Sequence, residues 1–288
     1  MIYINGVNGK IGRYLSKVIS QRTKIQRITS TPTQPDDIYC DLQDPDISFC
    51  QKMKKGDYFL SFGAMAVSRI GVEKPELTHL INVKGTGRLI ETILFQDVRV
   101  VFCSSSTVYG HGGTELFKED DPLNSTLVYM KSKIAIENKF KDNKNFKIIR
   151  PSNVISGNVS FIDYLRHCAN VHETAIVYSG WYFNPISVQD LTEITYEIVQ
   201  RWDEAPKIMN ICGEEFISKE EMAEIYKKYV NSNLSYKVID PPEEYLREVE
   251  FRNPCSSERM RAFYKKKLMT MKEAIIAEQF LASPIPHA

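Results

Sequence analysis

Short apolar runs alternate with stretches of helical period from the first residue to about Arg150. Residues 2–5, 25–29, 37–40, 58–62, 98–103 and 147–150 read as strands. Between them 11–20, 77–95 and 128–140 read as helices, the last two with apolar residues at three- and four-residue spacing. Strands and helices in alternation are the pattern of successive βαβ units, so the expected class is α/β with a doubly wound parallel sheet. Beyond Pro151 the alternation weakens into the Gly/Asn-rich run SNVISGNVS, aromatic segments, and two late helices at 219–229 and 271–280. The expected organisation is a sheet domain over 1–150 and a smaller C-terminal lobe over 151–288, with some of its segments returning to the sheet. The breakers Pro241-Pro242 and Arg252-Asn253-Pro254 suggest loops that reach back over a cleft.

Gly6, Gly9 and Gly12 follow the first strand and open the first helix, with Lys10 and Ile11 between the last two. Without Cβ atoms the chain can turn tightly and bring a pyrophosphate against backbone amides at the positive helix end. An ordinary tight βα turn is the plain alternative. Its place as the first turn of a βαβ series favours a dinucleotide, and with it a Rossmann domain. Such sites usually carry an acidic residue after the second strand for the ribose hydroxyls. Here Thr29-Ser30-Thr31 stand there, and no carboxylate comes before Asp36. The hydroxyls of Ser30 and Thr31, with Lys10, Arg13 or Arg27 near, tolerate a 2′-phosphate, so NADP is the expected cofactor. NAD is the alternative, with Asp36 or Asp37 curling back to the ribose.

Tyr129 and Lys133 are four residues apart on a predicted helix, which sets both on one face about a turn apart. Upstream, VVFCSSSTVYG runs from a buried-type strand into a serine cluster at the sheet's carboxyl edge, where open α/β sheets bind ligands. In these residues the chain resembles the extended short-chain dehydrogenase/reductases, and within them the nucleotide-sugar epimerases, dehydratases and reductases. The likeness runs through GVNGKIG, Cys40-Asp41-Leu42, DYFLSFGA, Asn82-Val83 with Gly85-Thr86, SSSTVYG, Tyr129 to Lys133, and Ile149-Arg150-Pro151-Ser152-Asn153.

That resemblance implies that Asp41 and Leu42 border the adenine, that Phe62, Gly63 and Ala64 line the dinucleotide, and that Asn82 sits close to it. It places the catalytic hydroxyl at Ser105, with Ser106 a near neighbour in the substrate site. Asn153 matches an asparagine that contacts the substrate diphosphate, although an Asx turn would explain it too. Tyr129 can supply a proton to the oxygen of a carbonyl that receives hydride, Lys133 favours the phenolate left behind and holds cofactor ribose, and Ser105 donates to the same oxygen. The family usually has an arginine before its hydrophobic-His/Ser-Val-x-Asp segment, and Phe183 stands there. Arg252, in a region resembling that of dTDP-4-dehydrorhamnose reductases, is a candidate replacement. Family dehydratases carry an acidic pair after the serine, whereas Ser106 and Thr107 follow Ser105, which argues against dehydration. The implied activity is NADP(H)-dependent reduction of a nucleoside-diphosphate 4-keto-6-deoxy sugar, with a 4-epimerase holding NAD as the alternative. A non-catalytic dinucleotide-sensing protein would not need the tyrosine and lysine. A homodimer through the helices starting near Leu77 and Val128 is implied as well.

Composition narrows the partners. The 37 basic and 36 acidic residues leave a net charge of +1, so no global field draws nucleic acid or an anionic membrane. The six cysteines lack the close spacing of zinc or dithiol sites, so no metal is expected and a reducing cytoplasm is. The N-terminus enters a strand at once, without a basic and apolar leader, and no run reaches membrane-spanning length. Trp181 and Tyr182 read as core, Lys265 to Lys267 as a solvated helix face, and His111 as a solvated loop residue.

Overall fold

The computed structural model describes residues 1–65, 73–112, 115–156, 161–248 and 253–280. Six strands come from the first 151 residues: β1 (Ile2–Asn5), β2 (Ile25–Thr29), β3 (Ile38–Tyr39), β4 (Tyr58–Ser61), β5 (Arg99–Cys103) and β6 (Phe146–Pro151). A seventh, Ile208–Ile211, returns from the C-terminal half to pair with β6. In space the order runs from this seventh strand through β6, β5, β4, β1 and β2 to β3, and every pairing is parallel. The fold is therefore a Rossmann-like α/β sheet. The order reverses direction between β1 and β4, and there the carboxyl ends of the strands leave a crevice.

The strand sequences explain their places. β1 and β6 are buried at every position and β5 at all but its first, as expected of parallel strands covered on both faces. Helix α1 (Lys10–Ser20) turns Leu15 and Ile19 onto one face of the sheet, where α6 (Val188–Gln200) joins it with Leu191, Ile194 and Ile198. Helices α3 (Thr86–Phe95) and α4 (Val128–Phe140) cover the other face with Ile90, Ile93, Ile136 and Phe140.

The continuous helix expected over 77–95 is broken into three. A short α2 (Pro75–His79) passes into a π-helical segment, Leu80–Gly85, before α3 begins. Thr86 Oγ1 donates to the carbonyl of Ile81 at 2.9 Å, five residues back, which stabilises the wider turn. The chain leaving β3 lies against this segment, where a Cβ on Gly85 would stand 1.7 Å from the carbonyl oxygen of Leu42.

The C-terminal lobe is more regular than its sequence suggests. α5 (Phe161–Val171) and α7 (Lys219–Tyr229) pack with α10 (Met271–Glu278) around the parallel strand pair Thr174–Tyr178 and Ser235–Ile239. Ile162, Leu165, Phe183, Met222, Tyr226 and Ile275 form its core. Two shorter helices, α8 (Glu243–Glu248) and α9 (Glu258–Phe263), lie between α7 and α10, and Met260 and Phe263 of α9 enter the sheet domain's core. Lys265 to Lys267 are exposed in the loop after α9, not on a helix. No helix among the described residues is long and apolar enough to cross a membrane.

Candidate active site

The crevice holds a cavity of about 410 Å³ at the carboxyl ends of β1, β2 and β4. Nine residues expected at a dinucleotide line it: Gly6 and Gly9 from the first turn, Ser30 and Thr31 after β2, Asp41 and Leu42 after β3, and Phe62, Gly63 and Ala64 after β4. Gly6 is required twice over, having φ +74° and facing Gly63, whose nitrogen would lie 2.6 Å from an added Cβ. Gly12 belongs to the packing of the turn, since its Cβ would meet the Gly6 oxygen at 2.2 Å. Lys10 and Ile11 begin α1 beside the cavity without lining it. A pyrophosphate at the Gly6–Gly9 turn and the start of α1 fits this cradle.

Two asparagines that the sequence reading passed over shape the crevice. Asn5, buried at the end of β1, accepts from the amides of Phe62 at 2.7 Å and Gly63 at 2.9 Å, joining the two central strand ends. Asn8 donates to Thr29 Oγ1, to the Thr31 carbonyl and to Thr31 Oγ1 at 2.6–3.1 Å, tying the glycine turn to the exit of β2. Only its place inside the loop hinted at this role.

At that exit Arg27 and Asp37 form an ion pair at 2.6 Å, with the carboxylate side chain fully covered. Asp37 also accepts from the amides of Thr33 at 2.8 Å and Gln34 at 3.1 Å. Burial works against its ionisation, but the bonds from Arg27 and these amides prevail and hold it below the ordinary carboxylate value. Asp37 is thus committed to its own loop and does not curl back to a ribose. Arg27 is committed with it.

Asn82 lies near the cavity rather than on its wall. It accepts from the Met65 amide at 2.9 Å, donates to the Met65 carbonyl at 3.1 Å, and donates to Ser132 Oγ at 3.2 Å. Ser132 in turn donates to the Tyr129 carbonyl at 2.6 Å. The loop after β4 and the helix of Tyr129 are therefore held in one register by Asn82.

Tyr129 and Lys133 share the inner face of α4, as their spacing requires. The Lys133 ammonium is buried and donates to the Cys103 carbonyl at the end of β5, 2.8 Å away. It stands 5.7 Å from the Tyr129 ring centre and 4.8 Å from that of Phe102. Burial lowers the Lys133 ammonium, opposed by Cys103 and Glu137. Burial also raises the half-buried Tyr129 phenol, so Tyr129 is neutral at ordinary pH and able to donate.

Ser105 follows the same strand end and is half-buried, capping the turn Ser106–Tyr109. Its Oγ accepts from the Thr107 amide at 3.2 Å and lies 3.0 Å from Thr107 Oγ1. Ser106 departs from the expectation of a substrate contact: it is buried and hydrogen-bonded to the Cys255 thiol, inside the packing of this turn. The side chain of Asn153 is exposed at the end of β6. Arg252 lies outside the described residues. Trp181 and Tyr182, read as core, are half-buried and 45% exposed respectively.

The match to known proteins is consistent with this crevice. Residues 2–212 match the NAD dependent epimerase/dehydratase family. The chain belongs to that family. No curated protein matches it in sequence. In structure this family member is similar to a dTDP-4-dehydrorhamnose reductase from Clostridium acetobutylicum, at 18% identity over 97% of this chain and 98% of that one, with TM-score 0.84. A hypothetical dTDP-4-dehydrorhamnose reductase from Sulfolobus tokodaii gives 22% identity, 94% and 98% coverage and 0.80. A UDP-galactose 4-epimerase gives 20%, 97% and 98%, and 0.78. At these identities the likeness is one of fold.

Proposed function

We propose that this protein is an NADP(H)-dependent reductase of a nucleoside-diphosphate 4-keto-6-deoxy sugar. The observation that carries the cofactor choice is the exit of β2. Ser30 and Thr31 line the cavity there; of the two carboxylates that follow, Asp37 is bound to Arg27, Thr33 and Gln34, and Asp36 is exposed and does not line the cavity. A 2′-phosphate meets hydroxyls at that exit, with exposed Lys10 and Arg13 at the start of α1. The bound dinucleotide would supply the hydride. Tyr129 donates the proton to the carbonyl oxygen, Lys133 stabilises the phenolate that follows, and Ser105 gives that oxygen a hydrogen bond. Asn153 at the exposed end of β6 contacts the diphosphate.

The nucleoside then provides binding energy remote from the reacting carbon. Structural likeness to reductases of this substrate class supports the reading. The engagement of Arg27 by Asp37 removes one cation from the 2′-phosphate side and favours, as the second reading, a 4-epimerase that retains NAD. The test mixes protein and NADPH with dTDP- or CDP-4-keto-6-deoxyglucose and follows the absorbance of the reduced cofactor. Steady oxidation is the expected result. No oxidation with either donor, together with interconversion of a 4-hydroxy sugar pair by protein carrying bound NAD, replaces this reading with the epimerase.

We propose further that the protein is cytoplasmic and a homodimer. All six cysteines are unpaired and buried, which suits a reducing compartment. Helices α3 and α4 lie side by side, joined by Lys139 and Glu91 at 3.0 Å, and Phe95 at the end of α3 is 87% exposed.

A further inference from the structure

In the C-terminal lobe a cation stands without a counter-charge among the described residues. Lys219 opens α7, and its ammonium lies 3.4 Å from the Trp181 ring centre and 5.2 Å from that of Phe161. Tyr245 closes the back of this box, 5.9 Å from Trp181 and 4.6 Å from Tyr178. The ammonium makes no hydrogen bond or ion pair with any described residue. Of the carboxylates nearby, Asp163 is held by Arg166, and Glu221 accepts from the amide of Ser218 at 2.6 Å. Burial alone pulls Lys219 down to about 8.

Local structure gives no reason for a lysine here. A cation at the first position of a helix meets the positive end of the helix dipole, where acidic residues are favoured. A half-buried ammonium whose donors are unused loses hydration without replacing it. Aromatic faces compensate in part, and they also fix the direction in which the ammonium points.

Register places this cation. The strand pair Phe183 with Ile217 and Tyr182 with Ser218 is antiparallel, so its next step sets Trp181 against Lys219. Phe183 occupies the position where the resemblance expects an arginine for the substrate, and it is buried in the lobe's core. Positive charge absent at 183 therefore reappears two residues along the ladder, on the partner segment. Phe161 is the first described residue of α5, and Asp163 in the same turn acts on Lys10 at the start of α1. The box thus belongs to the side of the lobe that faces the glycine turn.

We propose that Lys219 is the cation that binds the diphosphate of the nucleotide substrate, held in place by Trp181 and Phe161. The inference rests on the nucleotide-sugar reading above. It is tested by calorimetric titration of native protein, Lys219→Met and Lys219→Arg with dTDP and with UDP, at pH 7 and pH 9.5, with NADPH binding measured alongside. Native protein is expected to bind at least one of the two. The Met variant should bind it at least about tenfold more weakly while keeping NADPH affinity, and the Arg variant should retain most of it. Native affinity should fall between the two pH values as Lys219 loses its proton, and the Met variant should show no such fall. Equal affinity in native and Met proteins overturns the role of Lys219 and leaves the substrate class standing. A Met variant that loses NADPH binding in parallel overturns it as well, because the cation is then structural. Failure of native protein to bind either diphosphate overturns the substrate class, and this inference with it.

Discussion

Tyr129 can act as an acid because burial keeps its phenol protonated, and Lys133 can assist because the Cys103 carbonyl fixes its ammonium at the strand end. Tyr129→Phe deletes the proton donor and little else. Its turnover on the true substrate should drop roughly 10²- to 10⁴-fold while dinucleotide affinity stays nearly constant, as paired rate and binding measurements would show. Full activity in this variant would remove Tyr129 from the site. Ser105 and Ser106 are neighbours in sequence with different fates, one half-buried beside Thr107 and the other buried against Cys255. Ser105 is the extended cap of the turn and Ser106 its first residue, so the two side chains leave the backbone in different directions.

Helix α4 is held on the sheet by a buried network. Arg150 of β6 binds Glu137 of α4 at 2.6 Å and the Tyr109 hydroxyl at 2.8 Å, and Tyr109 donates to Asn210 of the seventh strand at 2.7 Å. Removing one partner leaves the other charge buried and unpaired. Glu137→Leu should lower the unfolding free energy by about 3–5 kcal/mol in denaturant titration, and Glu137→Leu with Arg150→Met should recover much of it. An unchanged midpoint in the single variant would count against the network's role. Helix α10 docks differently. Glu278 is fully buried against Arg166 of α5, with Oε1 unpartnered. Burial pushes its carboxyl up to about 7, helped by Asp163 and opposed by Arg166. A carboxyl raised on folding contributes stability that is complete below its unfolded value near 4.5 and lost as pH rises through 7. Glu278→Gln should therefore match native protein in thermal unfolding near pH 4.5 and exceed it at pH 8.5. A difference that does not change with pH would contradict the shift.

At the scale of the molecule, helices on both faces of one sheet leave a crevice at the strand-order reversal, lined by residues at the carboxyl ends of the N-terminal strands. α3 and α4 form an exposed adjacent pair suited to a second copy. The mass in solution at micromolar concentration should be that of a dimer, and substitution of Phe95 by Asp should shift it toward a monomer. A monomeric native protein would refute the proposed assembly.

The parallel strands β1 and β2 and the helices α4 and α7 have the bounds that local patterning alone predicts, because apolar runs and helical spacing are properties of short segments. The glycine turn is as legible, since the positive φ of Gly6 together with its close approach to Gly63 favours a residue without Cβ. What the sequence left open depends on distant partners. The seventh strand at Ile208–Ile211 is too short to be distinctive until β6 offers its edge. The need for glycine at 85 follows from Leu42, over forty positions away in the chain, which approaches it at the end of the π segment. Asp37 was read as a possible ribose ligand and is instead spent on Arg27. Trp181 was read as core, and it packs against the lobe's core while its ring face also meets Lys219. In each case the residue type is compatible with several partners, and only the packing of the whole chain selects one, because hydrogen bonds and ring contacts are decided at a few ångströms and local pattern carries no such distance.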